Sequence, residues 1–209
     1  MFRDIYKNKK VLVTGHTGFK GSWLTTWLIK LGAKVVGISK DIPTNPSMFE
    51  ELKLEEQIKH YKEDIRDLSK MVEIISKEKP DFLFHLAAQP IVSTSYFEPI
   101  ETISSNVMGT ANILEALKIS NHKCTAIIIT SDKAYDNVEQ VWGYKEDDKM
   151  GGKDIYSGSK GAAELIIKSY YYSFFKKSDC NVKLAIGRAG NVIGGGDWAK
   201  DRIVVDCMI

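Results

Sequence analysis

Cysteine is scarce in this sequence, and its placement excludes two kinds of site. Cys124, Cys180 and Cys207 are odd in number and far apart, and no Cys-x-x-Cys pair occurs. Neither a zinc site nor a disulfide framework is predicted, and the expected compartment is the reducing cytoplasm. The four histidines show no metal-binding spacing, so no metal is predicted.

Long apolar runs and an excess of one charge are also missing. No run approaches the ~18 apolar residues that cross a membrane, and the polar, basic start lacks the apolar stretch of a signal peptide. The 29 Lys and Arg residues are interleaved with 27 Asp and Glu residues, which argues against a nucleic-acid partner. The 44% hydrophobic content argues against disorder, and 209 residues suit one domain or slightly more.

Short apolar segments alternate with helical repeats along the chain. Apolar runs between turn residues predict strands, and apolar spacings of three and four predict helices. The predicted strands span residues 11–13, 34–39, 61–65, 81–87, 125–130 and 182–188. The predicted helices span residues 19–31, 48–58, 68–77, 100–119 and 155–176. This order favours right-handed βαβ units, so we expect an α/β fold with a Rossmann-type, doubly wound parallel sheet and helices on both faces.

A glycine-rich turn joins the first strand to the first helix. A helix N-terminus offers free N–H groups and a positive dipole end, which suit a dinucleotide pyrophosphate. Gly15 would permit the tight turn, Gly18 the approach of the phosphates, and Gly21 the close packing of the helix. The spacing is GxxGxxG rather than GxGxxG, and a plain strand–helix turn stays an alternative.

The end of the second strand bears on the choice between NAD and NADP. NAD-binding proteins carry an acid there for the ribose hydroxyls, whereas a nearby cation favours the 2′-phosphate of NADP. Ser39 stands where the acid is expected, Lys40 follows it, and Asp41 comes two positions late. After the third strand, Asp64 could accept from an adenine amino group or act as a helix cap. NAD is the predicted cofactor, with NADP as the alternative.

Tyr156 and Lys160 are spaced four residues apart near a predicted helix start. This spacing places both side chains on one helix face. A nearby ammonium stabilises a tyrosinate and lowers the phenol pKa, so that the Tyr can remove a hydroxyl proton while hydride leaves the same carbon. On this pair alone, a surface Tyr and a solvated Lys stay an alternative.

Ordered motifs cover nearly the whole chain. They lie at residues 14–21, 64–67, 85–90, 106–110, 130–133, 156 with 160, and 188–191. Together they resemble the extended short-chain dehydrogenase/reductase family, in its branch of NAD-dependent sugar-nucleotide enzymes. Residues 18–24, 141–144 with 150–152, and 187–198 are similar to the CDP-glucose 4,6-dehydratase subfamily within that branch.

The resemblance implies an internal redox cycle on a nucleotide sugar. The Tyr156 phenolate would take the O4 proton while C4 hydride passes to NAD. The C4 ketone acidifies C5, water leaves across C5–C6, and hydride returns to C6. The product is CDP-4-keto-6-deoxyglucose. The elimination needs a base at C5 and an acid at O6.

The resemblance places these acid and base groups after the fifth strand. Ser131 would hold O4, Asp132 would protonate the departing O6 hydroxyl, and Lys133 occupies the base position, where related dTDP-glucose dehydratases carry Glu. A protonated Lys cannot act as a base, so its pKa would have to be lowered by burial or by Lys160. Alternatively, Lys133 pairs with a phosphate or carboxylate.

The resemblance also implies which residues contact the ligands. Those expected at the cofactor are Gly15, Thr17, Gly18, Phe19, Lys20, Gly21, Ser39, Lys40, Asp64, Ile65, Leu86, Ala87, Ala88, Gln89, Asn106, Tyr156 and Lys160. Those expected at the substrate are Ser131 and Asn191. For Asn106, packing between helix and strand stays an alternative, and Trp23 and Trp27 are expected in the core.

We expect residues 1–190 to form the NAD(P)-binding domain with the catalytic groups. Residues 191–209 would begin a substrate-binding lobe that is largely absent from this chain. A homodimer through helices 100–119 and 155–176 is expected by analogy, with no membrane or nucleic-acid partner. The alternative functions are another sugar-nucleotide dehydratase or an epimerase acting on a dTDP- or GDP-sugar, or an inactive truncated dinucleotide-binding module.

Overall fold

Six parallel strands form the sheet of this computed structural model, which describes residues 2–208. The strands are β1 (Lys10–Thr14), β2 (Lys34–Ser39), β3 (Lys59–Lys62), β4 (Phe82–His85), β5 (Cys124–Ser131) and β6 (Val182–Ala189). Their order across the sheet is β3-β2-β1-β4-β5-β6. The chain therefore runs outward in opposite directions from β1 and β4, which confirms the predicted doubly wound Rossmann-type sheet.

Helices join and flank these strands. They are α1 (Phe19–Lys30), α2 (Met48–Glu51), α3 (Leu68–Glu78), α4 (Val92–Phe97), α5 (Pro99–Ile103), α6 (Gly109–Ser120), α7 (Ile155–Tyr170) and α8 (Ile203–Asp206). Among residues 2–208, no helix has the length and apolar character needed to cross a membrane.

The core is divided between the two faces of the sheet. Successive strand residues point to opposite faces. Accordingly Leu12 lies in the apolar cluster that includes Leu117 of α6, whereas Val11 and Val13 lie in the cluster that includes Leu28 of α1. All three β1 residues are fully buried, as expected for a central strand of a parallel sheet covered by helices on both sides.

The third strand was predicted too far along the chain. β3 pairs with β2 from Lys59 to Lys62, not over residues 61–65. As an edge strand it is polar, so its apolar pattern is weak. The chain then turns, and the Asp67 N–H donates to the Asp64 carbonyl over 3.0 Å. Asp64 and Ile65 therefore lie in a turn beyond the strand.

Several predicted helices are interrupted. The helix predicted at 48–58 is α2 followed by a 3-10 turn at Leu54–Gln57, because Lys53 between them has a left-handed φ of 47°. The helix predicted at 100–119 contains a π turn at Ser104–Met108, and α7 passes into a π turn at Tyr171–Phe175. α4 was not predicted.

The two tryptophans of α1 were wrongly expected in the core. Trp23 is 49% exposed and Trp27 is 47% exposed. α1 buries its smaller residues Gly21 and Thr25, together with Leu28. The larger indole rings therefore lie on the outer flank of the helix.

Candidate active site and cofactor cleft

The predicted site residues meet at the carboxyl edge of the sheet. Parallel strands end at the same edge, and ligands of open α/β sheets bind there, at the point where the strand order reverses. A Cβ atom placed on Gly15, after β1, would lie 2.7 Å from the Ala87 nitrogen, after β4. One placed on Gly190, after β6, would lie 3.5 Å from the Asp132 carboxylate, after β5. The segments after β1 and β4 therefore meet, as do the segments after β5 and β6.

The glycine loop has the shape that a pyrophosphate requires. Gly15 has φ of 73°, and a Cβ on Gly21 would come within 2.1 Å of the Gly15 carbonyl oxygen, so both positions need glycine. A Cβ on Gly18 would meet nothing closer than that carbonyl at 3.5 Å. α1 begins after Gly18 with no side-chain cap, which leaves its first N–H groups for an anion. These residues fit a dinucleotide.

Beneath this loop, His16 organises the end of β2. Its Nδ1 lies 3.0 Å from the Ser39 hydroxyl, and its Nε2 lies 2.7 Å from His60 Nδ1. Burial, and then the nearby His60, lower the pKa of His16 to about 4, so the ring is neutral. The Thr17 N–H also donates to Ser39, over 3.4 Å. The side chain of Ser39 therefore bonds within the protein, to His16 and Thr17. The sequence did not reveal the contact of His16 with His60.

Charged side chains surround the predicted adenosine end. The Asp64 carboxylate accepts from Arg66 over 2.6 Å, and this hydrogen bond holds the pKa of Asp64 below its usual value. Arg66 also pairs with Glu101 of α5, whose other oxygen lies 3.3 Å from Lys40 Nζ. Asp64 is thus engaged by Arg66, and the sequence had no signal for Glu101. Next to this cluster, Ile65 packs under Gly109.

The loop after β4 is fixed by two buried side chains. The Leu86 and Ala87 N–H groups donate to the Thr14 hydroxyl, each over 3.2 Å. The Gln89 N–H donates to Asn106 Oδ1 over 2.8 Å, and Asn106 Nδ2 donates in turn to the Ser159 hydroxyl over 2.9 Å. Asn106 therefore connects this loop to α7.

Tyr156 and Lys160 share one face of α7, whose start is capped by Asp154 through the Ser157 N–H at 2.9 Å. Both side chains are buried, with Lys160 Nζ 5.8 Å from the phenol ring centroid. Burial, and then the charge of Lys20, lower the pKa of Lys160 to about 8.

The expected lowering of the phenol pKa is not found. Burial raises the pKa of Tyr156, outweighing the Ser131 hydroxyl and the positive charge of Arg202, which both act to lower it. The sequence supplied the Tyr–Lys spacing but not the depth at which the phenol lies. If Tyr156 is to accept a proton, its phenolate form therefore needs further stabilisation.

Ser131, Asp132 and Lys133 form the turn that ends β5. The Ser131 hydroxyl donates to Asp132 over 3.1 Å and accepts from the Lys133 N–H over 3.3 Å. Ser131 is buried, but Asp132 and Lys133 are exposed. Within residues 2–208, the burial required for Lys133 to act as a base is therefore not present.

The segment after β6 crosses the mouth of the cleft. Asn191 is exposed, and further along the Gly195 carbonyl accepts from Trp23 Nε1 over 2.9 Å. Arg202, which pairs with Asp197 at 3.2 Å, lies close enough to Lys20 to lower the pKa of that amine, after the larger effect of burial. Like His60 and Glu101, Arg202 is a residue near the cleft that sequence reasoning missed. Among residues 2–208, no cluster of three His, Cys, Asp or Glu side chains could hold a metal.

This sheet order, with a glycine turn at the first strand–helix junction and a Tyr–Lys face beside β5, defines an α/β dinucleotide-binding protein of the extended short-chain dehydrogenase/reductase type. The chain belongs to the family described as GDP-mannose 4,6 dehydratase, whose model matches residues 12–184.

Related proteins agree with this family. CDP-glucose 4,6-dehydratase of Salmonella typhimurium is 51% identical over 99% of this chain and 58% of its own length, which confirms the resemblance inferred from the motifs. dTDP-D-glucose 4,6-dehydratase of Dictyostelium discoideum is 32% identical over 93% of this chain and 46% of its own length. The chain thus spans about half the length of these relatives.

Solved structures share the fold. UDP-glucose 4-epimerase of Thermotoga maritima, with UDP-glucose, matches with a TM-score of 0.80 at 25% identity, over 94% of this chain and 61% of that one. MoeE5 in complex with UDP-glucose and NAD matches with a TM-score of 0.76 at 25% identity, over 94% of this chain and 59% of that one.

Proposed function

We propose that this chain forms the cofactor-binding, catalytic part of an NAD-dependent sugar-nucleotide 4,6-dehydratase, a hydro-lyase that converts CDP-glucose to CDP-4-keto-6-deoxyglucose. The observation that carries the proposal is the position of the Tyr156–Lys160 face beside the Ser131–Asp132–Lys133 turn, at the same sheet edge as the glycine loop. An epimerase would not need the acid and base of that turn. The similarity to CDP-glucose 4,6-dehydratase supports the choice of substrate.

The cofactor is assigned to the cleft at the glycine loop. Residues 15–21 would bind its pyrophosphate, residues 39–40 and 64–65 its adenosine, and residues 86–89 would lie along it. When bound, NAD accepts a hydride from C4 of the sugar and returns it to C6. MoeE5, a structural neighbour, was solved with NAD. In this proposal residues 1–190 are the dinucleotide-binding domain and residues 191–209 begin the substrate lobe.

The protein side chains move the protons. Ser131 would hold the sugar O4 and Tyr156 would accept its proton, with Lys160 stabilising the phenolate. Since burial alone raises the pKa of Tyr156, this stabilising charge is essential. Asp132 would then protonate the departing O6 hydroxyl. Lys133, exposed in residues 2–208, would remove the C5 proton only when bound sugar covers it, and would return that proton to C5 as hydride reaches C6.

Incubation of the purified chain with CDP-glucose and NAD tests this function. The expected product is a 4-keto-6-deoxy sugar nucleotide, detected by its absorbance in alkali. Tyr156→Phe should lose at least about a hundredfold in rate, as expected for removal of a general base. Parallel assays with dTDP-glucose and GDP-mannose test the nucleotide. Folded, NAD-bound protein that forms no product from any of them would refute the proposal.

The proposal includes a cytoplasmic homodimer formed through the long helices. Ile100 and Met108 on one helical segment, and Leu165 and Tyr172 on the other, are large apolar side chains exposed to solvent. Sedimentation equilibrium should show a dimer that Leu165→Lys dissociates, whereas Val141→Lys, at an exposed apolar position outside these helices, should leave it intact. A monomeric wild-type protein would contradict the dimer.

A further inference from the structure

The end of β2 lacks the usual means of rejecting NADP. In NAD-specific sites an acid there binds the ribose hydroxyls and repels a 2′-phosphate. This chain has the neutral Ser39 at that position, followed by the cation Lys40. The Ser39 hydroxyl is held by the Thr17 N–H and His16, so it is attached to the pyrophosphate loop. The sequence predicts NAD, but it shows no acid at this end of the cleft that would exclude NADP.

The structure brings a second cation, Arg66, and a carboxylate that is distant in the sequence, Glu101, to the end of β2. Arg66 follows β3, the neighbour of β2, and its guanidinium binds Asp64 through Nε at 3.0 Å and Nη2 at 2.6 Å. Glu101 of α5 accepts from Arg66 through one oxygen and from Lys40 Nζ, at 3.3 Å, through the other. The Ser105 hydroxyl also donates to Glu101, over 3.3 Å. Both cations are therefore paired with Glu101.

We propose that Glu101 is the residue that makes this cleft select NAD over NADP. It neutralises Lys40 and Arg66, and it sets a carboxylate beside the position that the 2′-phosphate would take. A phosphate monoester carries about −1.5 to −2 charges at neutral pH, so it would be repelled by Glu101, which already pairs with both Lys40 and Arg66. Glu101 thus replaces, from α5, the acid that is missing after β2. This inference rests on the proposed dinucleotide function.

A contribution to fold stability is a weaker explanation for this charge cluster than a role in cofactor selection. Lys40 is half-exposed, and Arg66 and Glu101 are about one-third exposed. Ion pairs this accessible contribute little to stability. Replacement of Glu101 should therefore leave the fold intact and change only the charge that a ligand meets.

Dinucleotide binding to the full chain, measured by calorimetry, tests the proposal. Glu101→Gln should tighten NADP at least about tenfold, which corresponds to the loss of one charge repulsion of roughly 1.4 kcal/mol, and should change NAD binding less than about threefold. The gain should weaken with added salt, because it comes from partly exposed charges. Binding of 2′,5′-ADP should show the same gain without the nicotinamide.

Two matched variants complete the test. Glu98→Gln removes an exposed acid one turn earlier and should leave the ratio of NADP affinity to NAD affinity unchanged. The double variant Lys40→Met with Glu101→Gln should lose most of the increase in NADP affinity that Glu101→Gln alone produces. If Glu101→Gln binds NAD but its ratio of NADP affinity to NAD affinity equals that of the wild type, this inference is wrong while the proposed function stands. Wild-type protein that binds neither dinucleotide overturns both.

Discussion

Lys160 is a cation that folding removes from water. It is only 7% exposed, and burial, followed by repulsion from Lys20, lowers its pKa to about 8. Burying a charged group is costly unless it is fully paired. The chain therefore carries a destabilising residue on the face of α7 that the proposed chemistry uses, an exchange of stability for activity that is common at active sites.

Lys160→Met should consequently stabilise the fold by about 3 kcal/mol at pH 7, since each unit of pKa difference corresponds to ~1.4 kcal/mol. The unfolded chain holds this proton up to a pKa of 10.5 and the folded chain only to about 8. The penalty is thus complete below pH 8 and disappears as the pH rises to 10.5. Urea unfolding at pH 7 and pH 9.5 measures the difference.

The matched control is Lys168→Met, the same substitution at an exposed position of α7. It should change the free energy of unfolding by less than about 0.5 kcal/mol. If Lys160→Met destabilises the protein at pH 7, the Lys160 amine makes favourable interactions that outweigh the cost of its burial.

Gly18 and Gly21 should respond differently to alanine. A methyl group on Gly21 would lie 2.1 Å from the Gly15 carbonyl, whereas one on Gly18 has 3.5 Å. We expect Gly21→Ala to lower the free energy of unfolding by at least about 2 kcal/mol through overpacking, despite the higher helix propensity of Ala. Gly18→Ala should leave stability within about 0.5 kcal/mol but weaken NAD binding at least about tenfold, since the methyl occupies the predicted phosphate path.

Thermal unfolding and NAD titration of both variants decide this prediction. Equal losses of stability would show that the two glycines have the same packing role. Unchanged NAD affinity in Gly18→Ala would show that the pyrophosphate does not lie over this turn.

At this scale, sequence reasoning identified residue types but not their environments. The glycines and the Tyr–Lys pair were readable because their chemistry depends on short spacing. Other features could not be read from the sequence. These are the exposure of Lys133, the raised pKa of Tyr156 and the roles of Glu101 and His60. Lys40 and Glu101 are 61 residues apart in the chain, and only the completed fold brings such pairs together.

At the scale of elements, one buried ion pair fixes α7 to the sheet. Glu164 is buried on α7 and accepts from Arg188 of β6 through Nε at 2.8 Å and Nη2 at 2.6 Å. It also accepts from the Thr130 hydroxyl of β5 over 2.6 Å. Arg188 continues to the Tyr135 hydroxyl at 2.7 Å. Because Glu164 lies one turn beyond Lys160, this network sets the position of the Tyr156–Lys160 face relative to the turn after β5.

Glu164→Ala should therefore lower the free energy of unfolding by about 2 kcal/mol, because it leaves the partly buried Arg188 charge without its carboxylate partner. Glu73→Ala breaks an ion pair with Lys70 that is exposed on both sides and should cost less than about 0.5 kcal/mol. Urea unfolding of the two variants provides the comparison. Similar losses from both would show that Arg188 finds another partner.

The accuracy of the element predictions followed the degree of burial. The central strand β1 was found because both of its faces are covered, which requires an apolar run. β5 was found because its residues are apolar and β-branched, although only one of its faces is fully buried. β3 was displaced because an edge strand of Lys, His and Tyr has no such pattern. The π turns within the long helices depend on an extra residue in the hydrogen-bond ladder, which leaves the apolar spacing almost unchanged.

For the whole molecule, two neutral histidines mark the centre of the fold. His85 ends β4 and is hydrogen-bonded to Thr14 at 2.7 Å and to Thr110 at 3.1 Å. His16 follows β1 and is bonded to Ser39 and His60. Together they join β1, β2, β4 and α6 around the place where the strand order reverses. Protonation of either ring would put a charge in this buried region.

The free energy of unfolding should fall as the pH is lowered from 7.5 to 5. Burial lowers the pKa of His85 to about 3 and that of His16 to about 4, against 6.5 in the unfolded chain. Below pH 6.5 the unfolded state takes up protons that the folded state refuses, so stability decreases with falling pH. The two residues together should remove roughly 4 kcal/mol by pH 5, measured by urea unfolding at several pH values. His85→Asn should reduce this pH slope by about half, whatever its effect at pH 7.5, and an unchanged slope would show that His85 does not contribute to it.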